Sequence, residues 1–336
     1  MAISTVLDHF RTVMQWATAN DAEAQLDMRT FELRLQRQGA GFRLHPMFPA
    51  RVGGQFVHSQ VLTEHAVGFG GWLPYRPYTS RWSTDKLLFK RDAAAQGIRV
   101  PTQWKLGEQP DADFILKRSE GSFGYDISGP YQAGTPITDA VQPNLAAGRG
   151  QAFPEQFIAG RMAKIWFWGS QPFFAHVQDY PVVQADGVHT AIALAKARIA
   201  QDIGAAGLVS DEIVRSTLRF QSIDPDGVPE NGRAFWIDFR YGRTFEDRRK
   251  SVDVNGLPDL LQSSSSQLNE MGEFAAQILQ QTASVPLMCS VDAVVDAEQR
   301  LWWLEMNTNS ILPHQGYELI LSTLFELRAD RSTAPS

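Results

Sequence analysis

The sequence predicts a mixed α/β (α+β) protein with more than one subdomain, and three observations support this class. Segments with apolar residues at helical spacing alternate along the chain with β-prone runs. A length of 336 residues is enough for two or three subdomains with a sizeable core. The run from Ser290 to Asn307 predicts a β-hairpin with polar side chains at its ends.

The overall charge and the single cysteine exclude several classes of protein. The formal net charge of −6 argues against a general nucleic-acid binder, although a local basic groove stays open. Cys289 has no second cysteine with which to form an intramolecular disulfide, which suits a reducing compartment. It lies in an apolar run beside Met288, so we expect a buried, inert thiol rather than a nucleophile.

The sequence predicts no membrane association. Charged residues interrupt the N-terminal segment, which therefore lacks the unbroken apolar core of a signal peptide. No later stretch reaches about 18 uninterrupted apolar residues. We therefore expect a cytoplasmic protein.

The N-terminal part predicts a helix and a strand but no assignable chemistry. Residues 4–19 have the apolar spacing of an amphipathic helix, and the run ending at Gly39 alternates like a strand. Residues 41–78 are rich in Gly, Pro, His and aromatics with few clean periods. His58 and His65 are seven apart and could share a helix face, but the lack of a third ligand favours no metal site.

A helix and a glycine-rich loop follow. The stretch STDKLLFKRDAAAQGIRVP, which begins at Ser83, offers Ser, Thr or Asp as an N-cap and predicts a helix that runs to Ala95 and stops at Gly97. A strand over Phe114–Lys117 enters a Gly/Ser loop, and the next strand resumes near Tyr125. A lysine at the strand end beside loop N–H groups favours phosphate binding. A β-hairpin with a flexible tip explains this loop equally well.

The middle of the chain predicts a β-rich passage, three helices and one further strand. In chain order these are residues 153–183, a helix ended by Gly204, a helix capped by Ser210, a strand over 234–243, and a helix led in by the serine run 263–266. After Tyr317 a last helix precedes a polar tail that we expect to be disordered.

The hairpin of residues 290–307 carries the strongest candidate site. Asp292 lies near the start of its first strand, and Glu305 and Asn307 lie at the end of its second. These side chains can converge on one face, because residues two apart in a strand point the same way. Two carboxylates and an amide oxygen are hard ligands that suit Mg²⁺. The alternative is an ordinary hairpin with solvated acids, but polar residues directly after a Trp-rich strand favour a site.

Six segments between Asp85 and Gly316 resemble, in family order, the ATP-grasp superfamily. The similarity is to its carboxylate–amine ligases, such as the ribosomal-protein glutamate ligase, glutathione ligase and cyanophycin synthetase groups. The matching segments are Asp85–Lys86 at a helix start, the GIRVP exit of that helix, FILKRSEGSFGYDI, EQFIAG, YPVVQADGVHT, and SVDAVV with WWLEMNTN.

This resemblance implies two α+β lobes that hold ATP between them. Lobe 1, with its glycine-rich flap, would span residues 81–160, and lobe 2, with the metal site, residues 161–328. Residues 329–336 would be the disordered tail. Residues 1–80 lack the βαβ pattern that usually precedes such lobes, which implies a reduced or atypical N-terminal domain, with substrate binding as one role for it.

The resemblance also implies residue roles. Lys86 and Lys117 would contact ATP phosphates, with Lys117 also near the adenine edge, and Ser122 and Gly124 would close over the γ-phosphate. The remaining roles are adenine binding by the backbone of Glu155, Gln156, Phe157 and Ile158, an acyl-phosphate clamp of Arg240 and Arg243, and one or two Mg²⁺ ions, with Mn²⁺ as an alternative, on Asp292, Glu305 and Asn307.

The implied function is an ATP-dependent ligase that forms an amide or peptide bond through an acyl-phosphate and releases ADP and phosphate. Its partners would be amino-acid or peptide substrates and no nucleic acid, and a homodimer is common among such proteins. One alternative is a non-catalytic nucleotide-binding protein on the same fold. Another is a peptide-modifying ligase that binds its acceptor chain at the aromatic-rich stretch 42–82.

Two departures from the family pattern motivate the non-catalytic alternative. Ser310 stands where a proline is usual. The linker between the two lobes, residues 155–158, is followed by Gly160, Arg161 and Met162 rather than by an acidic residue that could bind ribose. Of the histidines in this part of the chain, packing is favoured for His176, while His189, in the DGVHT turn, could bind substrate or pack.

Overall fold

The computed structural model is a mixed α+β protein with several antiparallel sheets, which confirms the predicted class. The structure describes residues 3–53, 55–121, 127–137, 150–201, 209–241, 254–280 and 285–333. Within these ranges, every helix is too short or too polar to cross a membrane.

The N-terminal region is a helix packed on an antiparallel sheet. Its elements are α1 (Ile3–Ala19), β1 (Glu23–Leu26), β2 (Leu33–Arg37), β3 (Ala40–Val52), β4 (Gln55–Ser59) and β5 (Gly71–Leu73). The strand order is β1-β2-β3-β4, and β5 pairs with β3. In β2, Leu33 and Leu35 are fully buried while the residues between them face out, because strand side chains alternate between faces. This arrangement agrees with the missing βαβ pattern.

The aromatic residues of this region form its core. Phe48, Phe69 and Trp72 are at most 2% exposed, and the rings of Phe69 and Trp72 lie 4.7 Å apart. The structure thus supports core packing for these aromatic side chains. The expectation that His58 and His65 share a helix face is wrong, because His58 lies on β4, paired with β3, and His65 lies in a turn.

The next segment contains two helices and a three-stranded antiparallel sheet. Its elements are α2 (Arg81–Thr84), α3 (Lys86–Ala95), β6 (Phe114–Arg118), β7 (Ile127–Tyr131) and β8 (Ala152–Gln156), with strand order β7-β6-β8. The predicted helix is α3, which begins after Asp85 and ends at Ala95 as expected, and a short helix, α2, precedes it. Ser80 caps α2, and Asp85 has extended backbone angles while its carboxylate caps α3. Tyr125 lies outside the described residues.

The rest of the chain builds a four-stranded sheet and the helices around it. Its elements are β9 (Arg161–Trp168), β10 (Gln171–Gln178), β11 (Val182–Gln184), α4 (Ala191–Ala200), α5 (Asp211–Phe220), β12 (Ala234–Trp236), α6 (Leu257–Leu279), β13 (Met288–Val295), β14 (Leu301–Asn307) and α7 (Tyr317–Thr333). The main sheet is antiparallel with order β10-β9-β13-β14, and β11 pairs with β12. Ser210 caps α5 as predicted, whereas Gly204 lies outside the described residues.

The predicted strand over 234–243 is too long. It ends at Trp236, so Arg240 lies on the segment that follows β12. The cause is Asp238, whose Oδ1 accepts hydrogen bonds from the backbone N–H groups of Phe239 and Arg240 and so turns the chain out of the strand.

Two predicted boundaries near the C-terminal end also differ. The serine run 263–266 is part of α6 rather than a lead or linker before it, and Ser264 makes a kink there with φ −144°. The Ser264 hydroxyl donates to the carbonyl of Gln299 at 2.7 Å, which holds the kink against the β13–β14 turn. The last helix continues to Thr333, past the predicted start of a disordered tail at residue 329.

The four-stranded sheet has one apolar face and an opposite, polar face that also carries Trp166, Trp168 and Phe174, which pack into the core of the N-terminal region. The apolar face packs against α6, because alternate residues of β9, β10 and β13 share a core cluster with residues of that helix. Members of this cluster include Ala163, Ile165, Ala175, Val291, Ala293, Leu268, Met271 and Ala275. The intervening residues point to the opposite face, and they include Lys164 and Asp292.

A buried tyrosine joins the N-terminal region to the last helix. The Tyr317 hydroxyl accepts a hydrogen bond from the backbone N–H of Trp72 at 2.8 Å and lies 3.0 Å from Nδ1 of His9. Both Tyr317 and His9 are buried, and burial, with the nearby His314, lowers the pKa of His9 to about 3. His9 is therefore neutral at neutral pH, and its Nδ1 can accept a hydrogen bond from the Tyr317 hydroxyl.

Replacing Tyr317 with Phe is expected to lower the free energy of unfolding by about 1–3 kcal/mol, because two buried polar groups lose a partner. Urea denaturation measures this change. Tyr78→Phe is the matched control, since the Tyr78 hydroxyl donates over 3.4 Å to the carbonyl of Met288. An equal loss in both variants would contradict the linking role of Tyr317.

Candidate functional site

The register of β13 against β14 brings the three predicted metal ligands together. Asp292 pairs with Glu305, and Ser290 pairs with Asn307. A β-bulge follows Asp292, so the pairing changes register there. The Asn307 Nδ2 donates to Oδ2 of Asp292 at 3.2 Å. The predicted convergence on one face is therefore present.

Two lysines contact the two carboxylates. Lys86 Nζ, at the start of α3, lies 3.3 Å from Oε2 of Glu305. Lys164, on β9, forms an ion pair with Oδ1 of Asp292. Each of the two carboxylates thus has a lysine ammonium group in contact with one of its oxygens.

The two carboxylates respond differently to this environment. Burial raises the pKa of Asp292, and the charge of Lys164 offsets this only in part. Burial also acts to raise the pKa of Glu305, but the charges of Lys86, Lys117 and Lys164 outweigh it, so the net pKa is lowered. Glu305 is therefore the more firmly ionised of the pair.

The donor set fits a hard divalent cation. Two carboxylates and an amide oxygen are oxygen ligands of the kind that Mg²⁺ uses when phosphates and water complete its shell. Across the described ranges there is no cluster of three His, Cys, Asp or Glu side chains placed for a metal.

Lys86 also connects this cluster to the glycine-rich loop. Its Nζ donates to the carbonyl of Gly121 at 2.5 Å, and its backbone N–H donates to the carbonyl of Ser119 at 2.8 Å. The start of the loop therefore lies against the carboxylates. Ser122 and Gly124 lie outside the described residues.

A buried triad lies beside the loop. Glu155 places Oε1 3.0 Å from Lys117 Nζ and Oε2 2.8 Å from Lys90 Nζ, and all three residues are at most 4% exposed. Burial lowers the pKa of Lys90 to about 8. Burial also lowers the pKa of Lys117, but Glu155 and Glu305 outweigh it and the net pKa is raised. Lys117 is therefore the more firmly protonated of the two lysines.

The linker backbone is already partly engaged. The N–H of Gln156 donates to the carbonyl of Thr102 at 2.8 Å, and that of Phe157 donates to the carbonyl of Asp113 at 2.7 Å. The Phe157 ring is buried against Trp236, with centroids 6.1 Å apart. An adenine contact through the linker would therefore use other backbone groups, such as its carbonyls or the N–H of Ile158.

The predicted clamp arginine is held by an aspartate. Arg240 donates from Nε to Oδ1 of Asp238 at 3.0 Å and from a terminal nitrogen to Oδ2 at 2.8 Å. Asp238 is 5% exposed, so this bidentate pair is largely shielded from water. The pair fixes the arginine on the segment after β12. Arg243 lies outside the described residues.

The remaining sequence-predicted side chains fall into two groups. His176 is 3% exposed and lies 3.0 Å from the Tyr241 hydroxyl, so it is packed and hydrogen-bonded. His189 is exposed and contacts the Asp186 carboxylate at 2.6 Å. Cys289 is buried, and burial raises its pKa to about 12, which makes it an inert thiol as predicted.

Sequence reasoning missed four polar residues of this region. They are Lys90, Lys164, Asp238 and Tyr241. Lys164 gave the clearest signal, since it is a lone charge between apolar residues of a strand. Lys90 lies one helical turn after Lys86, so in the sequence it looks like another lysine on an exposed helix face.

Comparisons with known proteins give structural likenesses only. No family model and no curated protein matches the sequence. Among solved structures the chain matches a bifunctional glutathione synthetase from Pasteurella multocida, at 13% identity over 96% of this chain and 43% of that one, with a TM-score of 0.45. It also matches a D-alanine–D-alanine ligase from Bacillus anthracis, at 13% identity over 75% of this chain and 69% of that one, with a TM-score of 0.38.

A third match is the ATP-grasp ligase PsnB complexed with a minimal precursor. The identity is 10% over 70% of this chain and 55% of that one, with a TM-score of 0.32. The chain spans 43% of the length of the glutathione synthetase that it matches. At TM-scores below 0.5 these likenesses carry no argument for function, which has to rest on the site itself.

Glu155→Gln is expected to lower the free energy of unfolding by about 3–5 kcal/mol, because two buried lysines lose their counter-charge. Lys90→Met should stay within about 2 kcal/mol of the wild type, since it leaves the Lys117–Glu155 pair intact. Urea denaturation of the two variants checks this order. A larger loss for Lys90→Met would show that Glu155 does not balance both lysines.

Proposed function

We propose that this protein is an ATP-dependent carboxylate–amine ligase of the ATP-grasp type. It would form an amide or peptide bond on an amino acid or peptide through an acyl-phosphate and release ADP and phosphate. The observation that carries the proposal is the meeting of Lys86 with both Glu305 and the start of the glycine-rich loop. One lysine thus joins the candidate phosphate loop to the candidate metal ligands.

The charge balance of the site supports an anionic ligand. The lysines at positions 86, 90, 117 and 164 face three carboxylates, at Glu155, Asp292 and Glu305, which leaves one positive charge. A bare divalent cation would raise this excess, so we expect the cation to bind together with nucleotide phosphates. The combined charge of ATP and Mg²⁺ is negative, which suits the site.

The named side chains supply positioning and charge neutralisation. Lys86 and Lys117 would hold the transferring phosphoryl group, and the Arg240 guanidinium would face the acyl-phosphate. When bound at Asp292, Glu305 and Asn307, Mg²⁺ would neutralise charge on the phosphates. Such transfers need orientation and charge stabilisation more than covalent catalysis by the protein.

The reaction balances in two transfers. A substrate carboxylate oxygen bonds to the γ-phosphorus of ATP while the bond to ADP breaks. An amine nitrogen then bonds to the carbonyl carbon while the carbon–oxygen bond breaks, and phosphate leaves with the electron pair. Amino acids and peptides supply both groups, which is why we propose them as substrates.

Purified protein should release phosphate from ATP in the presence of Mg²⁺ and a suitable pair from a panel of amino acids and peptides. Asp292→Asn and Glu305→Gln should each lower this rate by about 10²-fold or more, because charge stabilisation at the phosphates is lost. Phosphate release measured across the panel checks this.

Glu298→Gln is the matched control, since Glu298 lies in the turn of the same hairpin and pairs with Arg300. Its rate should stay at the wild-type level. ATP binding without Mg²⁺-dependent turnover for every pair tested would favour the non-catalytic nucleotide-binding alternative instead.

A further inference from the structure

Four ionisable side chains form one row across the main sheet. His176 pairs with Lys164, Lys164 pairs with Asp292, and Asp292 pairs with Glu305. Paired residues on neighbouring antiparallel strands point to the same face. The candidate metal ligands therefore occupy one end of a continuous polar row, and His176 occupies the other.

Tyr241 covers the histidine end of this row. Its hydroxyl lies 3.0 Å from Nδ1 of His176, and the two rings meet edge to face with centroids 5.6 Å apart. Lys164 Nζ lies 5.1 Å from the centroid of the Tyr241 ring, and the same ammonium group forms the ion pair with Asp292. A single lysine thus separates the tyrosine from a candidate metal ligand.

His176 and Tyr241 differ in how exposed they are to a ligand. His176 is 3% exposed, whereas Tyr241 is half-buried. His176 nevertheless faces the polar side of the sheet, because its neighbours Ala175 and Val177 are the ones that pack toward α6. Of the two residues, Tyr241 is therefore the one that a ligand on this face would contact.

The proposed reaction needs a group that takes a proton from the amine substrate. An amine substrate is mostly protonated at neutral pH, since an α-amino group has a pKa near 8 and a lysine amine one above 10. Only the neutral amine can attack the acyl-phosphate. Lys86, Lys117 and Lys164 are cations, and the carboxylates of Asp292 and Glu305 are paired with lysines. Tyr241 and His176 form a hydrogen-bonded pair on the same face.

We propose that Tyr241, backed by His176, takes the proton from the attacking amine. The ammonium gives its proton to the Tyr241 oxygen while the Tyr241 proton moves to Nδ1 of His176. The amine lone pair then forms the carbon–nitrogen bond, the bond from carbon to the phosphate oxygen breaks, and the second amine proton leaves with the phosphate. Tyr241 is the catalytic residue, and His176 is a positioning residue that acts through it. This inference rests on the proposed ligase function.

Hydroxylamine separates this step from activation of the acid. It is already neutral near neutral pH, so it traps an acyl-phosphate as a hydroxamate without a proton acceptor. The experiment supplies ATP, Mg²⁺, each of the common amino acids singly as the acid, and either hydroxylamine or a second amino acid as the amine. Hydroxamate and amide yields are then compared for each variant of the full-length protein.

Tyr241→Phe is expected to lower the kcat for amide formation by about 100-fold or more, as general-base loss does, with hydroxamate formation within about threefold of the wild type. Both changes together lower the ratio of amide to hydroxamate in Tyr241→Phe, and His176→Gln should also lower this ratio. Tyr180→Phe is the matched control, because Tyr180 packs on Trp236 in the same part of the chain. Its ratio should not change.

The outcomes distinguish the two proposals. Equal loss of amide and hydroxamate in Tyr241→Phe would overturn the proton-acceptor role and leave a structural one. An unchanged ratio in both Tyr241→Phe and His176→Gln would also overturn it. Absence of hydroxamate with the wild-type protein for every acid would instead overturn the ligase function itself.

Discussion

The register of β13 between its two neighbours is the constraint on which the site depends. The strand pairs with β9 on one side and with β14 on the other, so Asp292 meets Lys164 and Glu305 in one row. A shift by one residue would turn Asp292 toward α6 and place Val291 on the polar face. The apolar residues that pack against α6 therefore fix the chemistry on the opposite face, because the same alternation sets both.

Electrostatics adds a second constraint. Lysines reach this face from α3, β6 and β9, and three carboxylates hold them at short range. The buried Lys90–Glu155 pair costs desolvation energy that a hydrophobic pair would avoid, so the presence of the pair is not in itself a source of stability. Under the proposed function, the small positive excess would suit a polyanion, and a divalent cation would enter with that polyanion.

The parts of the fold that sequence predicted are those set by local pattern. The hairpin and its ligands were predictable because a short turn brings Asp292 and Glu305 together, and the caps at Ser210 and Asp85 follow from side-chain chemistry. The long-range pairing of β9 with β13 leaves no mark in either segment, so the contact of Lys164 with Asp292 was missed. The three strands after Ala40 were missed because Gly, Pro and aromatic residues obscure their alternation.

The central claim is that Asp292, Glu305 and Asn307 hold a divalent cation together with nucleotide phosphates. Anomalous scattering from crystals soaked with Mn²⁺ and a non-hydrolysable ATP analogue tests it most directly. The account predicts a metal peak about 2–2.5 Å from oxygens of these three side chains, present with the analogue and weak or absent without it. Nucleotide bound with no metal peak at these oxygens, or with the metal elsewhere in the molecule, would contradict it.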